Sequence, residues 1–202
     1  MRLVSRTDTF VQIRAEDLEV RYGRTPALDI DALDVRGNII SVVGHNGSGK
    51  STLLKSILEL LPVRKGSIQI YSHIDGDRER LTPHEHMAFS PESGALFQDL
   101  DVESYVRLWC RIKHGSGRYY KREGREVIET LQLDPLLKKL GRELSKGQRQ
   151  RVQLAIGLLV QPRLFLLDEP FDGLDVRQAN LLANVLRNVS KKMALLICSH
   201  RM

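Results

Sequence analysis

The chain has 202 residues, of which 42% are hydrophobic and 28% charged, enough for one sizeable α/β domain, and no apolar run approaches the ~20 residues of a membrane-spanning helix. Residues 1–6 lack the apolar stretch of a signal peptide, and Cys110 and Cys198 form no C-x-x-C pair, so we expect a cytoplasmic protein with free thiols. The net charge of +6 comes from scattered residues, which favours a solvated basic surface over a nucleic-acid-binding stripe and is compatible with attraction to an anionic membrane.

The first third of the chain predicts strands followed by one helix. Residues 10–36 alternate apolar and polar side chains, which is typical of short antiparallel strands, and we expect turns at Glu16-Asp17 and at 23–26. An apolar strand at Ile39–Val43 follows. The next helix is expected to end near Pro62.

The remaining chain predicts a mixture of strands and helices. Apolar residues recur at intervals of three and four between 101 and 160, which predicts mostly helical structure interrupted at Gly115-Ser116-Gly117 and Pro135. Further predicted elements are strands at 66–71, 87–90, 163–167 and 193–198, a polar, turn-rich segment at 72–84, and a helix at 176–189. Alternating strands and helices predict a mostly parallel sheet that is covered on both faces.

A glycine-rich loop with the spacing G-x-x-x-x-G-K-[ST] lies between the strand at Ile39–Val43 and its helix. The backbone N–H groups of such a loop, together with the helix N-terminus, bind phosphate oxygens. Lys50 is predicted to reach the terminal phosphates, and the Ser51 hydroxyl to ligate Mg²⁺. The alternative is a chance glycine-rich turn. The predicted nucleotide-binding residues here are Gly44, His45, Asn46, Gly47, Ser48, Gly49, Lys50, Ser51 and Thr52.

Two carboxylates, Asp168 and Glu169, follow the apolar strand at 163–167. Ligands of parallel sheets bind beyond the carboxyl ends of the strands, so we expect these carboxylates near the phosphate loop. Asp168 is predicted to hold Mg²⁺ through water, and Glu169 to polarise an attacking water. The alternative is an acidic turn that serves only solubility.

A third motif, Leu144-Ser145-Lys146-Gly147-Gln148, completes a resemblance to the nucleotide-binding subunits of ATP-binding cassette (ABC) transporters. The diagnostic stretch of that family is Leu-Ser-Gly-Gly-Gln, and the motifs occur here in family order. Ser145 and the amides of a helix N-terminus can form a second anion site, with an ordinary helix cap as the alternative. The resemblance implies that Ser145, Lys146, Gly147 and Gln148 of one copy close on the γ-phosphate of an ATP held by the phosphate loop of a second copy.

Other positions match the family one at a time. Tyr22 resembles the aromatic residue that stacks on adenine, although a strand tyrosine packed on the core is the alternative. Gly173-Leu174-Asp175 resembles the loop that communicates between protomers, and we expect Asp175 to contribute to nucleotide binding. His200 resembles the switch histidine that contacts the γ-phosphate. For His84-Glu85-His86 a solvated loop is favoured over a metal site.

Two departures from the family pattern stand out. Glu92 occupies the position of a glutamine that commonly touches Mg²⁺ and water, and we expect it to keep the metal contact and change turnover. The printed chain ends at Met202, where family members usually continue with a strand and a helix. We therefore expect a truncated or short variant in which His200 lies near a frayed terminus.

The resemblance implies a single ABC ATPase domain over 1–202 in the α/β class. It has a RecA-like P-loop NTPase core lobe (1–91 and 156–202) with an antiparallel β subdomain, and a helical lobe (92–155). The implied function is binding and hydrolysis of ATP with Mg²⁺, with Glu169 as general base and Lys50 and His200 as further catalytic residues.

The implied partners are ATP, a second copy or a paired ATPase subunit, and integral-membrane permease subunits at the cytoplasmic face of the membrane. No nucleic acid is expected as a partner. The run 89–100 and the Lys146 variant favour export over import, and the substrate is selected by another polypeptide. The alternatives are a soluble ABC-type ATPase that acts on ribosomes or DNA, and a regulatory subunit that binds ATP without hydrolysing it.

Overall fold

Two four-stranded β-sheets frame the computed structural model, which describes residues 10–74, 76–92, 96–115 and 117–200. The strands are β1 (Phe10–Tyr22), β2 (Thr25–Gly37), β3 (Ile39–Val43), β4 (Lys65–Ile74), β5 (Asp77–Arg80), β6 (Met87–Ser90), β7 (Leu164–Asp168) and β8 (Ala194–Ser199). One sheet is antiparallel with the order β2-β1-β4-β5, and the other is parallel with the order β3-β8-β7-β6. Predictions that involve residues 1–6, 93–95, Ser116 and Met202 lie outside the described residues.

The antiparallel sheet is built on a long hairpin of β1 and β2, whose turn falls within the predicted 23–26. The turn predicted at Glu16-Asp17 is wrong, because β1 runs through these residues and only shifts its register with β4 there. Asp17 adopts a left-handed φ of 48° at this bulge. Gly66 of β4 packs so closely on it that a Cβ would overlap the Glu16 and Asp17 carbonyls. The polar segment predicted at 72–84 is also partly strand, since β4 extends into it and β5 pairs with β4.

The parallel sheet is buried on both faces at β7, whereas the edge strand β3, predicted to be covered as well, exposes Ile39, Ser41 and Val43. Every residue of β7 is buried. Leu164 and Leu166 pack on one side with α1 (Lys50–Ile57) and the antiparallel sheet. Phe165 and Leu167 pack on the other side with the helices. The polar groups that follow the strands are therefore delivered to the rim of the sheet.

The helices follow the predicted pattern, with differences at their ends. The helix after the phosphate loop stops at Ile57, earlier than the predicted Pro62. The remaining helices are α2 (Pro83–His86), α3 (Val102–His114), α4 (Gly117–Tyr119), α5 (Arg125–Thr130), α6 (Lys146–Leu159) and α7 (Val176–Val189), with a π-helical turn at Tyr120–Gly124 and 3₁₀ turns at Asp134–Leu136 and Gly141–Glu143. Helix α6 passes without a break through 155–156, where the two predicted lobes meet, so the lobe division stays a prediction.

The cysteines and the apolar character of the helices were both considered in the sequence. Cys110 and Cys198 are both unpaired and buried, and they lie in the cores on opposite faces of the parallel sheet. Within the described ranges, no helix combines the length and the apolar character needed to cross a bilayer.

The packing of α6 on β7 predicts the effect of a single methyl group. A Cβ at Gly157 would overlap the Phe165 ring, which is fully buried. We expect Gly157→Ala to lower the free energy of unfolding by about 1–3 kcal/mol through overpacking, measured by urea denaturation. Gly117→Ala is the matched control, because its Cβ meets nothing within 4 Å. A Gly157→Ala protein as stable as the Gly117→Ala protein would contradict this packing.

Candidate nucleotide-binding site

The carboxyl ends of the four parallel strands meet along one edge of the sheet, and the predicted site residues follow them. The phosphate loop follows β3, His200 follows β8, Asp168 and Glu169 lie at the end of β7, and Glu92 comes shortly after β6. A cleft of about 540 Å³ opens at this edge. Among the predicted residues, its lining includes Tyr22, Asn46, Gly47, Gly49, Lys50, Ser51, Thr52, Glu92, Glu169 and His200. The phosphate loop, Glu92, Glu169 and His200 therefore converge on one site.

The phosphate loop is curled by glycines and braced by the antiparallel sheet. Gly47 and Gly49 adopt φ values of 83° and 92°, which favour glycine. A Cβ on Gly49 would lie 3.0 Å from the Ala27 carbonyl oxygen of β2, so a side chain there would press the loop off its support. His45 is exposed and its Nδ1 lies 2.8 Å from the Asn46 carbonyl oxygen, whereas Thr52 is buried.

Lys50 is buried at the centre of the site. Its Nζ donates to the carbonyl oxygens of Gly44 at 2.7 Å and His45 at 3.2 Å. The same Nζ lies 3.3 Å from Glu169 Oε1. The ammonium group thus bridges the phosphate loop and the carboxylate at the end of β7.

Glu169 is held in an unusual conformation by contacts from three directions. Its φ is 47°, in the left-handed region. The Glu169 backbone N–H donates to the Cys198 carbonyl oxygen at 3.0 Å, and Gln150 Nε2 donates to the Glu169 carbonyl oxygen at 3.4 Å. Its Oε2 accepts from the His200 backbone N–H at 3.1 Å and lies 2.8 Å from His200 Nδ1.

These contacts decide the protonation of Glu169. Burial raises the pKa of the carboxyl, but the hydrogen bonds from His200 and the neighbouring Lys50 ammonium together outweigh burial and hold the pKa below its usual value. A buried carboxylate at the rim of the cleft is therefore ionised at neutral pH.

Two carboxylate oxygens test whether a metal ion fits the site. Asp168 Oδ1 is buried and accepts no hydrogen bond from the described residues, whereas the second oxygen, Glu169 Oε1, already faces the Lys50 ammonium at 3.3 Å. An unsatisfied buried carboxylate oxygen is costly unless a cation or a donor such as water completes it. Mg²⁺ takes oxygen ligands and is held by one or two carboxylates together with substrate phosphates and water. The chemistry at Asp168, with Ser51 and Glu92 in the cleft lining, fits that ion.

The family's diagnostic turn lies outside this cleft. Ser145 caps α6, since its Oγ accepts from the Gln148 backbone N–H at 3.3 Å and its own N–H donates to Gln148 Oε1 at 3.1 Å. Ser145 and Lys146 are exposed. Neither these residues nor Gly147, Gln148 or Asp175 line the cleft. The structure therefore shows the ordinary cap, and a nucleotide contact by this turn stays a prediction.

The turn at 145–148 is nevertheless fastened to the cleft wall. Lys146 Nζ forms an ion pair with Asp172, which lines the cleft. A Cβ on Gly173 would lie 3.1 Å from Lys146 Cδ, so the lysine stem passes closely over that glycine. Asp175 caps α7 by accepting from the Gln178 backbone N–H at 2.8 Å.

The sequence missed three residues that line the cleft, namely Pro26, Ala27 and Asp172. Pro26 and Ala27 carry no chemistry of their own, and only the folding of β2 onto the loop brings them there. Asp172 had one available signal, because it stands directly before the quoted Gly173-Leu174-Asp175.

One histidine of α2, His86, has a structural contact, whereas His84 is exposed. The segment His84-Glu85-His86, expected as a loop, lies within this short helix. His86 Nδ1 accepts from the Thr82 backbone N–H at 3.1 Å. Among the described residues no group of three or more His, Cys, Asp and Glu side chains could hold a metal ion.

Known proteins resemble this chain in sequence. Residues 31–172 match the family model described as ABC transporter. The sulfate/thiosulfate import ATP-binding protein CysA of Mesorhizobium japonicum is 32% identical over 184 residues, covering 89% of this chain and 53% of that protein. The zinc transport system ATP-binding protein TroB of Treponema pallidum is 31% identical over 201 residues, covering 95% of this chain and 73% of that protein.

The fold has close counterparts among solved structures. The structure of an ATP-binding subunit of an ABC transporter matches with a TM-score of 0.77 and 29% identity, covering 94% of this chain and 79% of that one. The predicted fold class, a P-loop NTPase core with an antiparallel β subdomain and a helical segment, is thereby confirmed. The chain spans about half the length of the CysA relatives that it matches. It belongs to the family of ABC transporter ATP-binding domains.

Proposed function

We propose that this chain binds ATP with Mg²⁺ and hydrolyses it, as one of two paired subunits that drive transport through separate membrane permease subunits. The observation that carries the proposal is the ionised, buried carboxylate of Glu169. It lies on the wall of the cleft that the phosphate loop also lines, and it contacts both Lys50 and His200. Such a carboxylate can act as a general base toward a water molecule.

The chemistry that these residues perform is positioning and electrostatics. Lys50, which now donates to loop carbonyls, would turn its hydrogen bonds to the phosphate oxygens of ATP. Glu169 would orient the attacking water and accept its proton, and His200 would fix the direction of the carboxylate. Ser51, Asp168 and Glu92 would hold Mg²⁺, which when bound neutralises charge on the transferred phosphoryl group.

The adenine is assigned to the end of the cleft at Tyr22. This side chain is 49% exposed, so it is not the core tyrosine of the alternative interpretation. It lines the cleft beside Pro26 and Ala27. An exposed aromatic ring on a cleft wall offers a stacking surface for a base.

Pairing of two copies would complete the site. Ser145, Lys146, Gly147 and Gln148 do not reach the cleft of their own chain, yet Ser145 stands exposed at the N-terminus of a 14-residue helix. A helix N-terminus favours anions. The turn could therefore meet a phosphate only in a second copy, with Asp175 nearby at that interface.

A groove beside Glu92 is our proposed contact for a permease. It is lined mostly by apolar residues of β6, α3 and α6, including Phe89, Trp109 and Ile156, and has a volume of about 310 Å³. Trp109 Nε1 and Gln153 Oε1 are buried there without a hydrogen-bond partner among the described residues. A docked segment could bring partners for both groups.

The direction of transport stays open in this proposal. The run 89–100 favours export, whereas the CysA relatives are named for sulfate and thiosulfate import. We therefore propose ATP-driven transport, and export remains a prediction from the sequence.

The first test replaces the proposed general base. We expect Glu169→Gln to lower steady-state ATPase activity by about 10²- to 10⁴-fold, with ATP affinity within a few-fold of wild type. Glu126→Gln, on the exposed face of α5, is the matched control and should keep the wild-type rate. A Glu169→Gln protein with near-normal turnover would remove Glu169 from the mechanism.

The same variant tests the pairing, because unhydrolysed ATP should hold two copies together. Light scattering should show Glu169→Gln as a dimer with ATP and Mg²⁺ and as a monomer without them. A Ser145→Ala change in this background should weaken the dimer. Copies that stay apart with ATP, both in solution and on a permease, would contradict the shared nucleotide.

A second prediction concerns stability and pH. Because the pKa of Glu169 in the folded chain lies below its ordinary value of 4.5, its ionisation contributes stability above that value, which is lost as the pH falls through the folded pKa. The difference in free energy of unfolding between wild type and Glu169→Gln should be constant above about pH 6 and shift in favour of the variant as the solution is acidified. Urea unfolding in EDTA measures it, with Glu126→Gln as control. A difference that shifts the opposite way would refute the assigned pKa.

A third prediction concerns the departure at Glu92. If this carboxylate ligates Mg²⁺, Glu92→Gln should raise the Mg²⁺ concentration for half-maximal ATPase by about tenfold and change turnover. ATPase titrations with Mg²⁺ at saturating ATP measure both quantities. If Mg²⁺ dependence and turnover are unchanged, Glu92 has no metal role.

A further inference from the structure

One segment of the chain carries basic residues without any acidic ones. Residues 107–122 contain six Lys and Arg and no Asp or Glu, which equals the net charge of +6 of the whole chain. These six residues are all exposed, and we call them the basic face: Arg107, Arg111, Lys113, Arg118, Lys121 and Arg122.

Three of the six cations of the basic face have no ion-pair partner among the described residues. Arg107 pairs with Glu103 at 2.7 Å and lies over the Tyr120 ring, and Arg122 pairs with Glu123. By contrast, Arg111, Lys113 and Lys121 have no carboxylate within ion-pair distance in the part of the chain that the structure describes. Exposed cations without an ion-pair partner produce a positive potential that attracts anionic partners.

Exposed aliphatic side chains stand among these cations. Leu108 is 37% exposed and Ile112, one helical turn further along α3, is 61% exposed. The opposite side of α3 supplies the core through Val102, Val106 and Cys110. The fold therefore does not require Leu108 and Ile112 to be apolar, and their exposure points to a surface that meets something apolar.

We propose that the basic face and the adjoining Leu108 and Ile112 dock on a lipid bilayer that contains anionic phospholipids. The cations would contact headgroup phosphates, and the two aliphatic side chains would enter the boundary between headgroups and acyl chains. Three of the cations, Arg107, Arg111 and Lys113, stand on α3 together with Leu108 and Ile112, and basic residues beside exposed apolar ones favour binding to anionic lipid surfaces.

The neighbouring aromatic residues argue against single-stranded nucleic acid as the occupant. Bases bind to exposed aromatic rings, but Tyr119 is stacked on His114 and donates its hydroxyl hydrogen to the Leu159 carbonyl oxygen. Trp109 is only partly exposed and packs against the core. The exposed apolar groups of this face are aliphatic, which suits lipid.

The position of Lys113 relates the basic face to the proposed permease groove. This residue belongs to the basic face and also lines the groove that we assign to a permease. In that respect the orientation rests on the proposed function, since a permease contact would bring the basic face close to the membrane. Binding to lipid itself requires neither ATP nor a permease.

The test measures binding to vesicles by flotation. We expect the purified chain to bind vesicles of phosphatidylcholine with 30% phosphatidylserine at low salt, and to bind pure phosphatidylcholine vesicles at least tenfold less. Binding should fall steeply as NaCl is raised, because the attraction is screened. Arg111→Glu/Lys121→Glu should lose at least tenfold in binding to the anionic vesicles, since each basic residue near such a surface contributes about fivefold.

A control with the same change in net charge isolates the position of the cations. Lys191→Glu/Lys192→Glu lies on the exposed turn after α7 and should bind nearly as well as wild type. Ile112→Ser leaves the charge intact and should weaken binding several-fold. Thermal midpoints and ATPase activity of all variants should match wild type, which separates a failure here from a failure of the proposed ATPase.

Two results would overturn the proposal. One is a wild-type chain that does not float with anionic vesicles at low salt, including a chain that instead binds an acidic polyglutamate peptide, which would assign the face to a protein partner. The other is an equal loss of vesicle binding in Arg111→Glu/Lys121→Glu and Lys191→Glu/Lys192→Glu, which would reduce the effect to net charge.

Discussion

The buried carboxylate of Glu169 connects three strands of the parallel sheet, and the geometry of the site depends on it. Glu169 directly follows β7, accepts hydrogen bonds from His200 after β8, and lies beside Lys50, the first residue of α1. A buried charge is stable only when partners surround it. The register of β3, β8 and β7 brings Lys50 and His200 to the Glu169 carboxylate, and these partners keep it ionised. The same strand pairing is therefore needed for the fold and for the charge at the site.

The two sheets divide the work of building the cleft. The parallel sheet buries both faces of its strand β7, and the polar groups that follow this strand and β8 lie at the rim. The antiparallel sheet supplies no charged group to the cleft, but it places Tyr22 on the wall and supports the phosphate loop through the Ala27 carbonyl at Gly49. A glycine in the motif is thus required by a contact from a distant strand as well as by the curl of the loop.

The sequence predicted what depends on neighbours in the chain and missed what depends on pairing. Helix α7 was predicted with its observed bounds, because an amphipathic period and the Asp175 cap define it locally. Strand β5, with the polar sequence 77–80, carries no apolar alternation and exists because β4 pairs with it. At the site, motif spacing identified Lys50 and Glu169. Asp172 was identified only from the folded chain, where it lines the cleft and pairs with Lys146.

The ion pair between Lys146 and Asp172 has a consequence for how two copies would influence each other. Asp172 belongs to the wall around a copy's own ligand, and Lys146 belongs to the turn that this copy presents outward. We infer that a shift of that wall would be passed to the outward turn through this ion pair. A partner resting against the turn would then respond to the ligand held by the copy behind it.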